Sequence, residues 1–280
     1  MSAYRFCRTD DIGLLVDALN RCWAPHFPDE PPMNAAAFKR SIRDLQVWCS
    51  SCMVAFSGAD PIGVLIGAKR SSGTLIHRIA VHPDHVRQGH GRHLLTSLSS
   101  KLAILGPPRI VAEVPATNAA ARRLLAASGY AEEAVLTDYV LEQHARTEER
   151  VGRFLIPVTI GDLAANGLFG EADPPTCWER SMETLTARKA EIEGLAVATD
   201  ERIEAYVLYI KDEGLLALRS FVEDQGARLE ELLSRLPQEG LKALRISKVH
   251  PAEIPADRLR NLGFRPAGQD LLYSAVARSA

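Results

Sequence analysis

Apolar positions along the chain fall into short runs whose period changes from two to nearly four and back. Tyr4 to Cys7 reads as a short strand. From Asp10-Asp11 onward, Ile12, Leu15, Val16 and Leu19 follow helical spacing. A loop with Pro25, Pro28, Pro31 and Pro32 comes next. Met53 to Phe56 and Ile62 to Ala68 are apolar runs separated by Ser57-Gly58-Ala59-Asp60-Pro61, a hairpin signature. Leu75 to Val81 is the next strand. Leu94, Leu95, Leu98, Leu102 and Leu105 then mark one face of a helix. Arg109 to Val114 reads as a strand. Pro115-Ala116-Thr117-Asn118 opens a helix with Ala121, Leu124, Leu125 and Ser128 on one side, and Gly129 ends it. Val135 to Leu141 is the last strand of this half. The order predicts an α/β (α+β) domain with a mixed sheet flanked by helices.

The segment Gln143 to Arg150 is dense in charge and has no apolar face, which places a domain boundary there. Landmarks of the first half then return in order. Ala55 and Ile62 bracket the first hairpin turn, and Ala196 and Ile203 bracket a second with the same separation. Leu125-x3-Gly129-Tyr130 recurs as Leu259-x3-Gly263-Phe264. Tyr139 and Tyr273 follow at equal distance. Two domains are therefore expected, 1–145 and 150–280, the second a shortened copy of the first.

The shortening falls on the segment richest in chemistry. In the first half, a strand ending at Val81 leads through Arg87-Gln88-Gly89-His90-Gly91-Arg92 into a helix. Glycines let backbone approach a ligand closely. The first N–H groups of a helix have no intrahelical partner, and the helix dipole adds positive potential, so this is an anion site that suits a pyrophosphate. It is not a P-loop, because no Gly-Lys-Ser/Thr follows, and as a dinucleotide fingerprint it is incomplete. In the second half, Leu215 to Val222 reads as the matching strand. Glu223-Asp224-Gln225-Gly226 replaces the basic loop before a helix carrying Leu229, Leu232, Leu233 and Leu236. Carboxylates at an anion site repel the ligand, so only the first copy is expected to bind one.

Bulk properties narrow the classes. The chain has 280 residues, is 46% hydrophobic and carries a net charge of −2, enough for two cores. Neither nucleic acid nor a membrane is expected as a partner. No run reaches the roughly 18 apolar residues of a membrane span. The five cysteines are an odd count, and no signal peptide is evident, which favours free thiols and a cytoplasmic setting. Cys49-x-x-Cys52 lacks the second pair that a zinc site needs, so both are read as structural and no metal is expected.

The segment Val81…Arg87-Gln88-Gly89-His90-Gly91 resembles the CoA pyrophosphate loop of the GNAT acetyltransferase superfamily. Asn118-x-x-Ala121-x-x-Leu124-Leu125-x-x-x-Gly129-Tyr130 is similar to that family's second signature. The resemblance covers roughly residues 3 to 142, and the second half resembles a degenerate copy, giving a tandem arrangement. It implies acetyl-CoA, or another acyl-CoA, held in a gap between the strands 75–81 and 109–114. Pantetheine would pair with backbone at Ile79, Ala80 and Val81, and the Ile79 N–H would polarise the thioester carbonyl. The loop Arg87, Gln88, Gly89, His90, Gly91 and Arg92 would take the pyrophosphate, and Asn118 matches the family's CoA-contacting asparagine.

For catalysis the resemblance implies a base. Strand alternation puts Leu75, His77, Ile79 and Val81 on one face, and His77 stands where many relatives carry a glutamate. Two readings of His77 stand: a base, or a packed strand residue with one satisfied nitrogen. Glu113 is the second candidate, or a solvated strand-end carboxylate. The family's thiolate-protonating tyrosine falls at Leu125 and is absent. Acceptor selectivity is expected from Trp23, His26, Phe27, Asp29 and Glu30, with Tyr139 opposite. Two readings stand for Trp23, pocket lining or core, and two for Asp29 and Glu30, a lure for a cationic amine or solvated loop acids. The function expected is acyl transfer to a primary amine of a small molecule or protein, with a homodimer possible. A CoA-binding regulatory module and a dimerisation scaffold are the alternatives.

Overall fold

The computed structural model describes residues 2–141, 154–169, 174–241 and 244–279. The boundary segment expected at Gln143–Arg150 lies outside the described residues. The chain forms two compact units, and neither is continuous in sequence. The first comprises Met1–Ala134 with Leu271–Ala280, the second Val135–Asp270.

The first unit opens with β1 (Ser2–Phe6), α1 (Ile12–Cys22) and α2 (Ala35–Leu45). The hairpin β2 (Met53–Ser57) and β3 (Asp60–Lys69) follows, then β4 (Thr74–Val81), α3 (His90–Leu105), β5 (Arg109–Pro115), α4 (Ala119–Ala127) and β6 (Ala131–Leu141). The helical stripe read for α1 is real: Leu15, Ala18, Leu19 and Cys22 are buried along it. α2 carries Phe38, Ile42 and Leu45 at helical spacing, though Phe38 alone is buried. Its start is set by Asn34, whose side chain accepts from the Ala37 N–H. The core gathers Leu94, Leu95, Leu98 and Leu102 of α3 against Leu65, Ile76, Ile110 and Ala112 of the sheet.

The second unit runs β7 (Phe154–Pro157), α5 (Ile160–Ala165), α6 (Met182–Ala187), β8 (Glu193–Ala198), β9 (Ile203–Ile210), β10 (Gly214–Ser220), α7 (Ala227–Arg235), β11 (Leu244–Val249), α8 (Ala256–Asn261) and β12 (Arg265–Val276). The order repeats that of the first unit, and details repeat with it. Gly129 and Gly263, after α4 and α8, have φ of 84° and 85°. Gly89 and Gly226, before α3 and α7, have φ of 89° and 97°.

The sheet order is β1-β2-β3-β4-β5-β12 in the first unit and β7-β8-β9-β10-β11-β6 in the second. The dividing points between the units thus fall inside β6 and β12, not in the charged segment after Leu141 as the pattern suggested. The reason is packing. Val140 and Leu141 of β6 pair with Arg245 and Leu244 of β11. Leu271 and Tyr273 of β12 join the core of the first unit, and the Ala277 N–H donates to the Pro108 carbonyl. Each unit takes one strand from the far half of the sequence. No described helix is long and apolar enough to cross a membrane.

Candidate functional site

The strand gap implied by the resemblance is present in the first unit. The parallel ladder between β4 and β5 is confined to Thr74↔Ile110 and Leu75↔Val111. A bulge accompanies it. The register with β3 passes from Ile66↔Arg78 to Gly67↔Ile76, leaving His77 as the extra residue on β4. The face expected to carry Leu75, His77, Ile79 and Val81 together is therefore broken. Ile76 and Ile79 lie against the core beneath α3, and Arg78 meets the segment after α1 instead. His77 and Glu113 are each half-buried, on β4 and β5.

Beyond Val81 the chain turns through Pro83–His85 into the glycine loop. Arg87 is left-handed at φ 66°, and Gly89 caps α3 at φ 89° without a side chain to accept from the first helical N–H groups. Those donors and the exposed side chains of Arg87, Gln88 and Arg92 lie at one helix end. Left-handed residues at a helix start turn successive amides toward one concavity, which favours an anion. The two glycines have different tasks. An added Cβ at Gly89 meets nothing within 4 Å, so its requirement is conformational. At Gly91 it would stand 3.0 Å from Leu124 Cδ2, so this glycine serves the packing of α3 on α4. His90 is 6% exposed and points inward, where its Nδ1 bonds the Tyr4 hydroxyl at 2.7 Å. Only its backbone remains for a ligand.

Residues 14–130 match the family model described as Acetyltransferase (GNAT) family. This part of the chain is similar to a GNAT domain. No curated protein matches the chain. Among solved structures, a tandem GNAT protein from the clavulanic acid biosynthesis pathway is similar over 100% of both chains, at 16% identity and a TM-score of 0.66. A GCN5-related N-acetyltransferase from Sphaerobacter thermophilus is similar over 99% of this chain and 96% of its own, at 15% identity and a TM-score of 0.68. One from Anabaena variabilis is similar over 99% of this chain and 73% of its own, at 11% identity and 0.64. At these identities the likeness is one of fold, and the fold is two tandem GNAT-like domains.

Within the first unit, the wall expected to select the acceptor is built around a guanidinium. The Arg78 cation lies 4.9 Å over the Trp23 ring, and Trp23 stacks on Phe27 at 4.2 Å. Glu30 accepts from Trp23 Nε1 at 3.1 Å and stands 3.3 Å from Arg78. Its charge is thus already paired, which removes it as the lure for a cationic amine. The His26 Nε2–H donates to the Val81 carbonyl at 2.8 Å, tying this wall to the end of β4. Arg78 is the participant that the sequence reading missed. An arginine in a mostly apolar strand, beside His77, was its available signal.

Three further residues named from the sequence have defined places. Tyr139 is 6% exposed and lies in the core of the second unit, paired opposite Ile246, so it is a packing residue there. Asn118 caps α4, its Oδ1 accepting from the Ala121 N–H at 3.0 Å. Leu125, in the place of the family tyrosine, is 2% exposed in the core. All five cysteines are buried free thiols. Burial pushes Cys7 up to about 12 and raises Cys52 further, so these sulfurs stay protonated and unreactive.

The equivalent end of α7 in the second unit is filled by protein. Asp224 accepts from the backbone N–H groups of Gly226 at 3.1 Å and Arg228 at 2.9 Å, and from the Arg228 side chain at 2.9 Å. Glu204 accepts from the same guanidinium at 2.6 Å. The carboxylate stands where α3 offers open donors. This gives the sequence-level argument about acids at the anion site a specific geometry.

Proposed function

We propose that the first unit is an acyl-CoA-dependent N-acyltransferase, with acetyl as the group and a primary amine as the acceptor. The observation that carries this reading is the parting of β4 from β5 beside the open, arginine-flanked start of α3. A thioester arm laid in the gap and a pyrophosphate at the helix end would be held by groups already in position. The β4 backbone from Ile79 to Val81 would receive the pantetheine. The Ile79 N–H would face the thioester oxygen and stabilise negative charge as it develops.

The amine attacks the thioester carbon in its neutral form, the carbon–sulfur bond breaks, and the sulfur leaves with the electron pair. One proton must leave the nitrogen, and one reaches the sulfur. His77, displaced from the strand ladder by the bulge, is the base this reading assigns, with Glu113 on the neighbouring strand as the alternative. With Leu125 in the tyrosine position, solvent supplies the proton to sulfur, which a thiol of ordinary pKa near 8.5 tolerates.

Titration calorimetry with acetyl-CoA, followed by release of free thiol across a panel of amines, tests the reading. One site per chain and amine-dependent thiol release are expected. Two sites would overturn the assignment of the second unit as closed, and binding without turnover on any amine would favour the regulatory alternative. H77A should flatten the pH profile of turnover, and an unchanged profile removes His77 as the base.

A further inference from the structure

Histidines gather at one place in this chain. Of the eight, His82, His85, His90 and His93 fall around the start of α3. The equivalent stretch around the start of α7, residues 221–233, has none. They accompany the helix end that is open and are missing from the one that Asp224 fills. Their rings form a chain. His82 and His85 have centroids 6.0 Å apart and His85 and His90 6.3 Å, while the Tyr4 ring lies 6.0 Å from His90 and 3.7 Å from His93.

The four differ in what their ring nitrogens do. His82 Nδ1 accepts from the Asp84 N–H at 3.3 Å and stands 3.7 Å from the Asp84 carboxylate. His90 is buried with Nδ1 on the Tyr4 hydroxyl, and burial, then its two histidine neighbours, hold it neutral. His85, half-buried, and His93, exposed, have no hydrogen-bond or ion-pair partner among the described residues. The groups around them are mostly cationic or apolar. Arg87 and Arg92 are exposed on the same loop and helix turn, and the α3 dipole adds its positive end. Asp84 is the one acid of the segment, and its side chain is 82% exposed. From β1 the facing group is Tyr4, and α4 brings the apolar Leu124 to Gly91.

We propose that His85 and His93 are proton-coupled binding residues for the acyl-CoA pyrophosphate. The helix end and two arginines oppose further positive charge on these rings. A pyrophosphate laid beside them reverses that field, so they take up protons as the anion arrives. Protonated His93 keeps its contact with Tyr4, because a cation on a tyrosine face is favourable. Linkage then makes acyl-CoA affinity rise as pH falls through the histidine range. Arg87 and Arg92 hold the anion at any pH, and the histidines add an increment that grows on acidification. The inference rests on the acyl-CoA reading of the first unit and adds to it a pH dependence that glycines and arginines do not supply.

The test is calorimetric titration of the full-length protein with acetyl-CoA in PIPES and in imidazole, buffers of different ionisation enthalpy. The change in apparent enthalpy between them gives the protons taken up. The ligand's 3′-phosphate also titrates, with a pKa of about 6. Each value is therefore compared with those of H85N, H93N and the double variant, in which the ligand's own contribution is the same. Wild type should take up more protons than each variant. Its affinity should rise between pH 7.5 and pH 6 by at least about threefold more than that of the double variant. The two single variants guard against one that fails to fold, and 3′-dephospho-CoA, which has no phosphomonoester, reads the uptake on wild type alone. Equal uptake in wild type and the folded variants, or no uptake with bound 3′-dephospho-CoA, would overturn the proposal and leave the acyl-CoA reading standing. No binding of acetyl-CoA at either pH would overturn both.

Discussion

His90 sits at the first position of α3 with one ring nitrogen on the Tyr4 hydroxyl and the other buried without a hydrogen-bond partner among the described residues. Burial, and then the nearby His85 and His93, lower its pKa below the ordinary histidine value. The unfolded chain therefore binds a proton that the folded one refuses, and the stability from neutral His90 is lost as pH falls from above 6.5 through the lowered value. Unfolding by denaturant at pH 7.5 and pH 5 should show this loss, and H90N should reduce it. An identical pH difference in both proteins would remove His90 as the source. Gly91 makes a contrasting prediction. G91V should destabilise the fold by about 1–3 kcal/mol through the clash with Leu124, and L124A introduced beside it should restore part of the loss. A G91V protein as stable as wild type would contradict that packing. Both glycines of the loop look alike in sequence, and only the neighbour across α4 separates their roles.

The starts of α3 and α7 are two outcomes of one design. Both follow a strand whose parallel partner departs, and both are preceded by a left-handed glycine. In one the helix donors are open beside Arg87 and Arg92; in the other Asp224 accepts from them. Reversing charge in the first should weaken acetyl-CoA binding and leave folding alone. R87E with R92E is expected to cost at least about tenfold in affinity, with a shallower salt dependence, measured by calorimetry at two ionic strengths. Unchanged affinity would mean the pyrophosphate lies elsewhere. The element order, the loop and the acidic replacement were legible because each is local, written in consecutive residues with a helical or strand period. The bulge at His77 was not, because register depends on Gly67 and Ile66 of another strand. α2 is a different case: Phe38, Ile42 and Leu45 fall at helical spacing after the Asn34 cap, so this helix was legible in the sequence.

The exchange of strands makes the first unit depend on the last residues of the chain. Leu271 and Tyr273 are 6% and 5% exposed in its core, and Ser99 Oγ accepts from the Arg278 N–H. Deleting residues 271–280 should therefore unfold or aggregate the first unit, with a loss above about 4 kcal/mol from two core side chains alone. For the same reason a fragment ending near residue 145 should not behave as an independent domain. Circular dichroism and acetyl-CoA titration of both truncations check this, and a stable fragment that binds would show that β12 is dispensable. The repeat read from Tyr139 and Tyr273 is genuine in spacing. Each tyrosine nevertheless completes the core of the other copy's unit.

The amino-acid pattern alone determined the α/β class, the tandem copy, the basic glycine loop before α3 and its acidic replacement, because periodicity, turn residues and charge act within a few residues of one another. Packing between distant segments decided the rest. It set the ends of the units inside β6 and β12, buried Tyr139, paired Glu30 with Arg78, displaced His77 into a bulge and gave Gly91 a helix to accommodate. Each of these depends on which strand or helix lies alongside, and a strand's own sequence is satisfied by any partner that hydrogen-bonds its edge and covers its apolar face.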